Sequence, residues 1–167
     1  MARQEADHEG AARLYDSFGP PLFRYALMIL GRRDAAEDVI QQVFTALLDR
    51  GTRHISSPGT YLRTAVRNAC YSRLRGSRVR GANTLPDEEI LEAVPEAREP
   101  ITAEDRLALD AGIRALPPEQ REVIHLHVFE GLTFKEVALA TGEPPNTVAS
   151  RYRYALEKLR ASLLGLP

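Results

Sequence analysis

An all-α fold of two small helical domains is predicted by three features of the 167-residue chain. Apolar residues recur at helical spacing almost throughout, and no segment alternates apolar and polar residues as a half-buried strand would. One stretch rich in Pro, Glu and Ala, GANTLPDEEILEAVPEAREP, divides the helical segments. We therefore expect helical domains at 1–82 and 102–167, joined by a flexible acidic linker at 83–101.

Composition is that of a globular protein. Hydrophobic residues make up 44% of the chain and charged residues 27%, which is enough apolar material for two modest cores. The polar start, and the lack of any apolar run near about 18 residues, predict a cytoplasmic protein without membrane insertion. The single cysteine, Cys70, has no disulfide partner, and its helical surroundings favour a small core residue.

Charge is unevenly distributed along the chain, although the net charge is only −1. Residues 50–81 include eight arginines and no acid, whereas residues 87–105 include eight acids and one arginine. This separation indicates that the distribution of charge, and not its sum, carries information about binding partners.

The first domain is predicted to have helices at 9–30, 35–50 and 60–76. Asp34-Ala35-Ala36-Glu37 has the pattern of a capping box at the start of the second helix. The apolar face of this helix is predicted to be Ala36, Val39, Ile40, Val43, Phe44 and Leu47. Its other side carries polar residues without opposite charges, which suits a docking surface, although a solvated face is the alternative. We call this set the docking stripe: Asp38, Gln41, Gln42 and Thr45.

The third helix follows the break at Pro58-Gly59-Thr60 and is rich in arginine. Cations recur there every three or four positions, with an aromatic residue between them, and so form one ribbon. Such a ribbon suits a phosphate backbone, and an aromatic ring can stack on an unpaired base. Solvated arginines are the alternative, which the absence of acids disfavours. The arginine ribbon comprises Arg63, Arg67, Tyr71, Arg75 and Arg78.

The second domain is predicted to have helices at 103–115, 118–130, 134–141 and 147–164. Proline in its first turn opens the second of these. Thr133 and Glu136 form a capping box for the third, and Gly142 provides a left-handed stop. Asn146 is predicted to cap the last helix. Two helices joined by a tight, glycine-containing turn indicate a helix-turn-helix.

The last helix has two predicted faces. A buried stripe is expected at Val148, Tyr152, Ala155, Leu156, Leu159 and Leu163. A neighbouring face carries donors, cations and an aromatic edge, as expected of a helix that enters the major groove of DNA. A solvated amphipathic helix is the alternative, which the capped helix and turn before it disfavour. The recognition face comprises Asn146, Thr147, Ser150, Arg151, Tyr154 and Lys158, with Lys158 expected at a phosphate.

The stretch LPPEQREVIHLHVFEGLTFKEVALATGEPPNTVASRYRYALEKLR resembles region four of sigma factors, within the extracytoplasmic-function group. Arg121, Gly142, Thr147-Val148 and Ser150-Arg151 are among the matching positions, and Asn146 stands where the family commonly has glycine. The resemblance implies a domain that binds the minus-35 promoter element and packs on the β flap of RNA polymerase.

The stretch DAAEDVIQQVF resembles the family's region-two motif. Residues at the positions of Asp38 and Gln41 contact the clamp helices of the polymerase β′ subunit in that family. The resemblance therefore implies that the docking stripe, with Gln42 and Thr45, binds core polymerase.

The arginine-rich helix resembles the family's strand-opening segment. Tyr61-Leu62, Val66-Arg67-Asn68 and Leu74-Arg75 match it, whereas Ser72 replaces an acid and Leu48 replaces a tryptophan common at the end of the preceding helix. The resemblance implies that Asn68 and the loop before Tyr61 help to hold the non-template strand of the minus-10 element. The predicted minus-10 residues are Tyr61, Arg63, Arg67, Asn68, Tyr71, Arg75 and Arg78.

No catalytic constellation is found in the sequence. The four histidines, His8, His54, His125 and His127, lack cysteine partners and the HExxH spacing, and there is no P-loop. We therefore expect neither an enzyme nor a metal or cofactor site.

A transcription initiation factor that brings core RNA polymerase to promoter DNA is the predicted function. Members of the family are often held inactive by an anti-sigma factor, so the resemblance also admits that partner. Two alternatives stay open: a stand-alone helix-turn-helix regulator with an N-terminal sensing or dimerisation domain, and a helical adaptor that binds only protein.

Overall fold

The computed structural model describes residues 1–81, 90 and 101–165. These residues form seven α-helices and no strand, and contacts divide the chain into two units, Met1–Asn83 and Thr84–Pro167. The predicted all-α fold with two helical domains is confirmed. The predicted linker lies outside the described residues except for Ile90 and Ile101, and the predicted domain limits stay a prediction.

The first unit consists of α1 (Ala2–Leu30), α2 (Arg33–Arg50) and α3 (Pro58–Val79). Helix α1 begins seven residues before the predicted start at residue 9 and continues through Pro20 and Pro21. Neither proline can donate a backbone hydrogen bond to the preceding turn. Residues 25–30 of α1 are all buried, and both α2 and α3 pack on this helix.

The core of the first unit follows the predicted helix faces. All six apolar residues predicted on α2 are buried. Helix α3 adds Leu62, Val66 and Cys70, which are spaced by four residues and completely buried. The buried thiol of Cys70 is therefore a core group, as predicted.

The capping box predicted at Asp34 is wrong. Helix α2 begins earlier, with Arg32 at the N-cap in an extended conformation and no side-chain cap. Asp34 instead accepts a hydrogen bond from the amide of Ala35 at 2.9 Å and pairs with the Arg32 guanidinium at 3.2 Å. The Arg32 bond, and then the Ala35 bond, lower the pKa of Asp34.

The second unit consists of α4 (Ala103–Ala115), α5 (Pro118–Ile124), α6 (Phe134–Thr141) and α7 (Pro145–Leu163). The helix predicted at 118–130 is not α-helical to its end, since residues His125–Phe129 form a π-helical turn. There the amide of Glu130 donates to the carbonyl of His125 at 2.9 Å. The His125 ring also contacts the Glu130 carboxylate at 3.0 Å, which ties the two ends of the wide turn together.

Buried charged residues lie on both α4 and α5. Arg121 is buried and donates to the carbonyl of Leu116 at 2.6 Å, across the junction between the two helices. Asp110 is also buried and pairs with Arg114 at 2.7 Å. The bond to the Leu116 carbonyl gives a partner to the Arg121 cation, which would be costly to bury alone.

The helix-turn-helix forms as predicted at α6 and its turn. The Thr133 hydroxyl accepts from the amide of Glu136 at 3.2 Å, while the Glu136 carboxylate accepts from the amide of Thr133 at 2.7 Å. Gly142 ends α6 in the left-handed conformation, with φ 71°. The capping box and the glycine stop are therefore confirmed, and α6 packs against α7.

Two predictions about α7 are wrong. Asn146 does not cap the helix, because Pro145 begins it and Pro144 is the N-cap residue without a side-chain bond. Leu156 and Leu163, predicted in the buried stripe, are 41% and 46% exposed. The buried residues Val148, Ala155 and Leu159 span only about 40° of the helix at 100° per residue, so the packed face is narrower than predicted.

The capping box predicts a dependence of stability on acid pH. Hydrogen bonds from the backbone and side chain of Thr133 lower the pKa of Glu136 below its usual 4.5. Its stabilisation is therefore present above pH 4.5 and is lost as the pH falls through the lower folded-state pKa. We expect Glu136→Gln to lower the unfolding temperature at about pH 7 but not at about pH 3, measured by circular dichroism. An equal decrease at both pH values would contradict this assignment.

Candidate nucleic-acid interface

The recognition face lies on the first four turns of α7. Asn146, Tyr154 and Lys158 are exposed, whereas Thr147, Ser150 and Arg151 are half-buried. Arg151 pairs with Glu143, in the turn before the helix, at 3.2 Å. The Arg153 guanidinium lies over the Tyr154 ring at 5.1 Å. This surface offers donors, cations and an aromatic ring together, but its contact with DNA stays a prediction.

An aromatic cluster connects α7 to the helices that precede it in the second unit. The His127 ring lies 4.4 Å from Phe134 and 4.8 Å from Tyr152, between ring centroids. Its Nδ1 also contacts the carbonyl of Leu132 at 2.7 Å. The cluster thus joins the π-helical turn, α6 and α7.

The arginine ribbon lies along α3. Arg75 and Arg78 are exposed, while Arg63, Arg67 and Tyr71 are half-buried. The Arg67 guanidinium stacks over Tyr71, 4.6 Å from the ring centroid, so one face of that ring is already covered. Tyr61 and Asn68 are both exposed, Tyr61 by 39%. Among the predicted minus-10 residues, Tyr61 is therefore the more accessible aromatic ring.

The docking stripe lies on the exposed side of α2. All four of its residues, Asp38, Gln41, Gln42 and Thr45, are exposed. Asp38 pairs with Arg73 of α3 at 3.2 Å. Arg73 was not predicted from the sequence, because this residue lies off the arginine ribbon and pairs with a residue 35 positions away.

Two further surfaces were not predicted from the sequence. One is a groove of about 580 Å³ between α1 and α2, lined by residues of the docking stripe and by apolar side chains of α1. The other is the exposed apolar side of α7 at Leu156 and Leu163, continued by Leu164. The available signal was the helical spacing of these leucines, which we interpreted as core.

Residues 1–81, 90 and 101–165 include no group of three or more His, Cys, Asp or Glu residues that could hold a metal ion. None of the helices in these ranges has the length and apolar character needed to cross a bilayer.

Family models match both units. The model described as Sigma-70 region 2 matches residues 14–80, and the model described as Sigma-70, region 4 matches residues 106–159. The first match includes the docking stripe and the arginine ribbon, and the second includes the recognition face. The three surfaces thus belong to two regions that the family models recognise independently.

Relatives that match almost the whole chain belong to the same family. The ECF RNA polymerase sigma factor SigL of Mycobacterium tuberculosis is 31% identical, over 92% of this chain and 88% of the relative. The ECF RNA polymerase sigma factor RpoE of Cereibacter sphaeroides is 29% identical, over 95% and 88%. A solved structure of the sigma factor RpoE with the anti-sigma factor NepR, from Bartonella quintana, matches with a TM-score of 0.62 and 25% identity, over 92% of this chain and 96% of that one. The chain belongs to the ECF group of RNA polymerase sigma factors.

Proposed function

We propose that this sigma factor divides promoter recognition between its two units. The recognition face binds the minus-35 element, and the arginine ribbon with Tyr61 and Asn68 holds the opened minus-10 element. The docking stripe binds the β′ clamp of core RNA polymerase. Polymerase supplies the catalysis, so the sigma factor contributes promoter choice and no reaction of its own, and it acts on DNA in the cytoplasm.

The observation that carries this proposal is the presence of three different surfaces in one chain. The recognition face follows a capped helix that ends at Gly142 and a short turn, as in proteins that read the major groove. The arginine ribbon is basic, and α3 has no acid to neutralise it within its own length. The docking stripe is exposed and polar on a separate helix, α2. A regulator that acts alone would not need the third surface.

The exposed leucines of α7 fit the second polymerase contact. Leu156 and Leu163 lie seven residues apart, so they share one side of the helix. We assign this side to the β flap, because exposed apolar side chains on a folded helix favour a protein partner over DNA. An anti-sigma factor is proposed as a further partner, since the solved relative is bound to one.

The dependence of DNA binding on core polymerase tests the proposed function. We expect the purified protein to give no specific shift of promoter duplex alone, and to support run-off transcription once core polymerase is added. Specific binding of the duplex at submicromolar concentration without core, together with no transcript in its presence, would instead identify a stand-alone regulator. Retained transcription after neutralisation of Arg63, Arg67 and Arg75 would favour the protein-only adaptor.

Tyr61 is expected to contribute more to promoter opening than Tyr71. Because Arg67 covers one face of Tyr71, the more accessible ring for an unpaired base is that of Tyr61. A stacked base is worth at least about 1 kcal/mol, so Tyr61→Ala should lower the open fraction about fivefold. Permanganate reactivity of minus-10 thymines in complexes with core measures this. Tyr61→Phe should retain opening, and a larger loss with Tyr71→Ala would contradict the assignment.

A further inference from the structure

The loop between α2 and α3, residues 51–57, leads into Tyr61 in the first turn of α3. We call it the minus-10 loop, because the family resemblance implies that it helps to hold the non-template strand. The amide of Ile55 donates to the carbonyl of Thr52 at 3.3 Å within it. Since the loop is neither helix nor strand, its conformation depends on the elements that contact it. Its exposed residues are Arg53, His54, Ser56 and Ser57.

Helix α1 approaches the start of the minus-10 loop at Gly10 more closely than a side chain would allow. A Cβ at position 10 would lie 2.8 Å from the hydroxyl oxygen of Thr52, whereas an ordinary contact is at least 3.4 Å. Because threonine is branched at Cβ, two of its three χ1 rotamers direct a heavy atom at position 10. A residue larger than glycine there must displace Thr52 or restrict its rotamer.

Asp7, three residues earlier on α1, packs against the residue that ends α2. Its carboxylate would lie 3.4 Å from a Cβ of Gly51 and therefore lies beside the glycine backbone. Gly51 has φ 78° and ψ 164°, a conformation almost confined to glycine, which sets the direction in which the loop leaves α2. The Asp7 side chain is only 24% exposed, and it lies 3.8 Å from Nε of Arg53.

The same side of α1 also contacts the first turn of α3, just beyond the other end of the loop. A Cβ at Gly59 would lie 3.1 Å from the Phe18 ring. One side of α1 carries Asp7, Ala11 and Phe18, which fall within about 40° of one another at 3.6 residues per turn. Eleven residues of helix span about 16 Å. One face of a single helix therefore meets both ends of the minus-10 loop.

We propose that the first turns of α1 position the minus-10 loop for base selection, with Asp7 and Gly10 as positioning residues. Groups that select a ligand must be held within about 0.5 Å of the productive geometry. Restoring an ordinary contact after a Cβ is added at position 10 needs a shift of about that size. This inference rests on the proposed function and extends it to residues that precede the segment matched by the region-two model, 14–80.

Run-off transcription with core polymerase, on a cognate promoter and on variants that differ at single minus-10 positions, tests the proposal. Discrimination against a wrong base pair is on the order of tenfold. We expect Gly10→Ala to lower it at least about threefold, with core binding and minus-35 preference unchanged. The unfolding temperature should not decrease, because alanine favours a helix more than glycine does. A loss of preference without destabilisation distinguishes positioning from a role in folding.

A second substitution tests whether the effect of Gly10→Ala acts through the loop. Thr52→Ala removes the hydroxyl and leaves the Cβ of residue 52 at 3.7 Å, an ordinary contact. The double variant should therefore show the same minus-10 preference as Thr52→Ala alone. Wild-type preference in Gly10→Ala would overturn the proposal, and so would a loss that Thr52→Ala does not relieve. A wild-type chain with no minus-10 preference in the presence of core would overturn the proposed function itself.

Asp7→Ala provides the decision if Gly10→Ala does not fold. It removes the carboxylate beside Gly51 and should lower minus-10 preference at least about threefold. Asp7→Asn keeps the volume of the side chain at that contact and should retain the preference. Glu5→Ala truncates an exposed acid two positions earlier and is the matched control, with no expected effect. Unchanged preference with Asp7→Ala would overturn the proposal.

Discussion

Replacing Arg151 with alanine is expected to lower run-off transcription from cognate promoters, with core binding unchanged. Arg151 lies on the second turn of α7, where a recognition helix meets base edges. Arginine can donate two hydrogen bonds to guanine, a contact worth about 1–3 kcal/mol, or on the order of 5- to 150-fold. We expect a loss of about tenfold or more at saturating core, measured as transcript yield.

The pairing of Arg151 with Glu143 predicts a second, smaller effect on transcription. At 3.2 Å the carboxylate restrains the guanidinium before DNA arrives, so Glu143→Gln should lower transcription less than Arg151→Ala does. Arg160→Ala removes an exposed arginine from the last turn of the same helix and serves as the matched control. Unchanged transcript yield with Arg151→Ala would remove this residue from the recognition face.

Local rules predicted the fold well where one residue type determines the local conformation. The capping box at Thr133 and the left-handed stop at Gly142 were both correct, because their bonds involve residues at most four positions apart. The caps predicted at Asp34 and Asn146 were wrong. Each helix begins before the capping-type residue, with Pro145 preset for the first turn of α7. A capping residue type alone did not decide where either helix began.

Features of the candidate surfaces that depend on packing between helices were not predictable. The exposure of the docking stripe follows from helical spacing alone and was therefore predictable from the sequence. The ion pair of Asp38 with Arg73 joins residues on different helices, and the groove depends on how closely α1 approaches α2. The exposure of Leu156 and Leu163 likewise reflects how few helices the second unit has to cover α7. The spacing of apolar residues along one helix does not show how neighbouring helices pack against it.

Combined replacement of Asp38 and Gln41 by alanine is expected to weaken binding to core polymerase by about tenfold or more. The two residues lie three positions apart on the exposed side of α2, so one partner surface can contact both. Truncation of one partner of a buried, hydrogen-bonded charge pair at an interface costs about 2 kcal/mol or more, which exceeds the roughly 1.4 kcal/mol of a tenfold loss. Competition with labelled wild-type protein for core measures the loss.

The Arg73→Ala variant shows how Asp38 contributes to core binding. If Asp38 served only to hold Arg73, then Arg73→Ala would weaken core binding as much as Asp38→Ala does. If Asp38 itself contacts polymerase, Arg73 competes for the same carboxylate, and its removal should leave binding unchanged or slightly tighter. The exposed pair is worth at most about 1 kcal/mol, so the gain is limited to about fivefold. Because the two roles change affinity in opposite directions, the single Arg73→Ala variant distinguishes a polymerase contact from an internal brace.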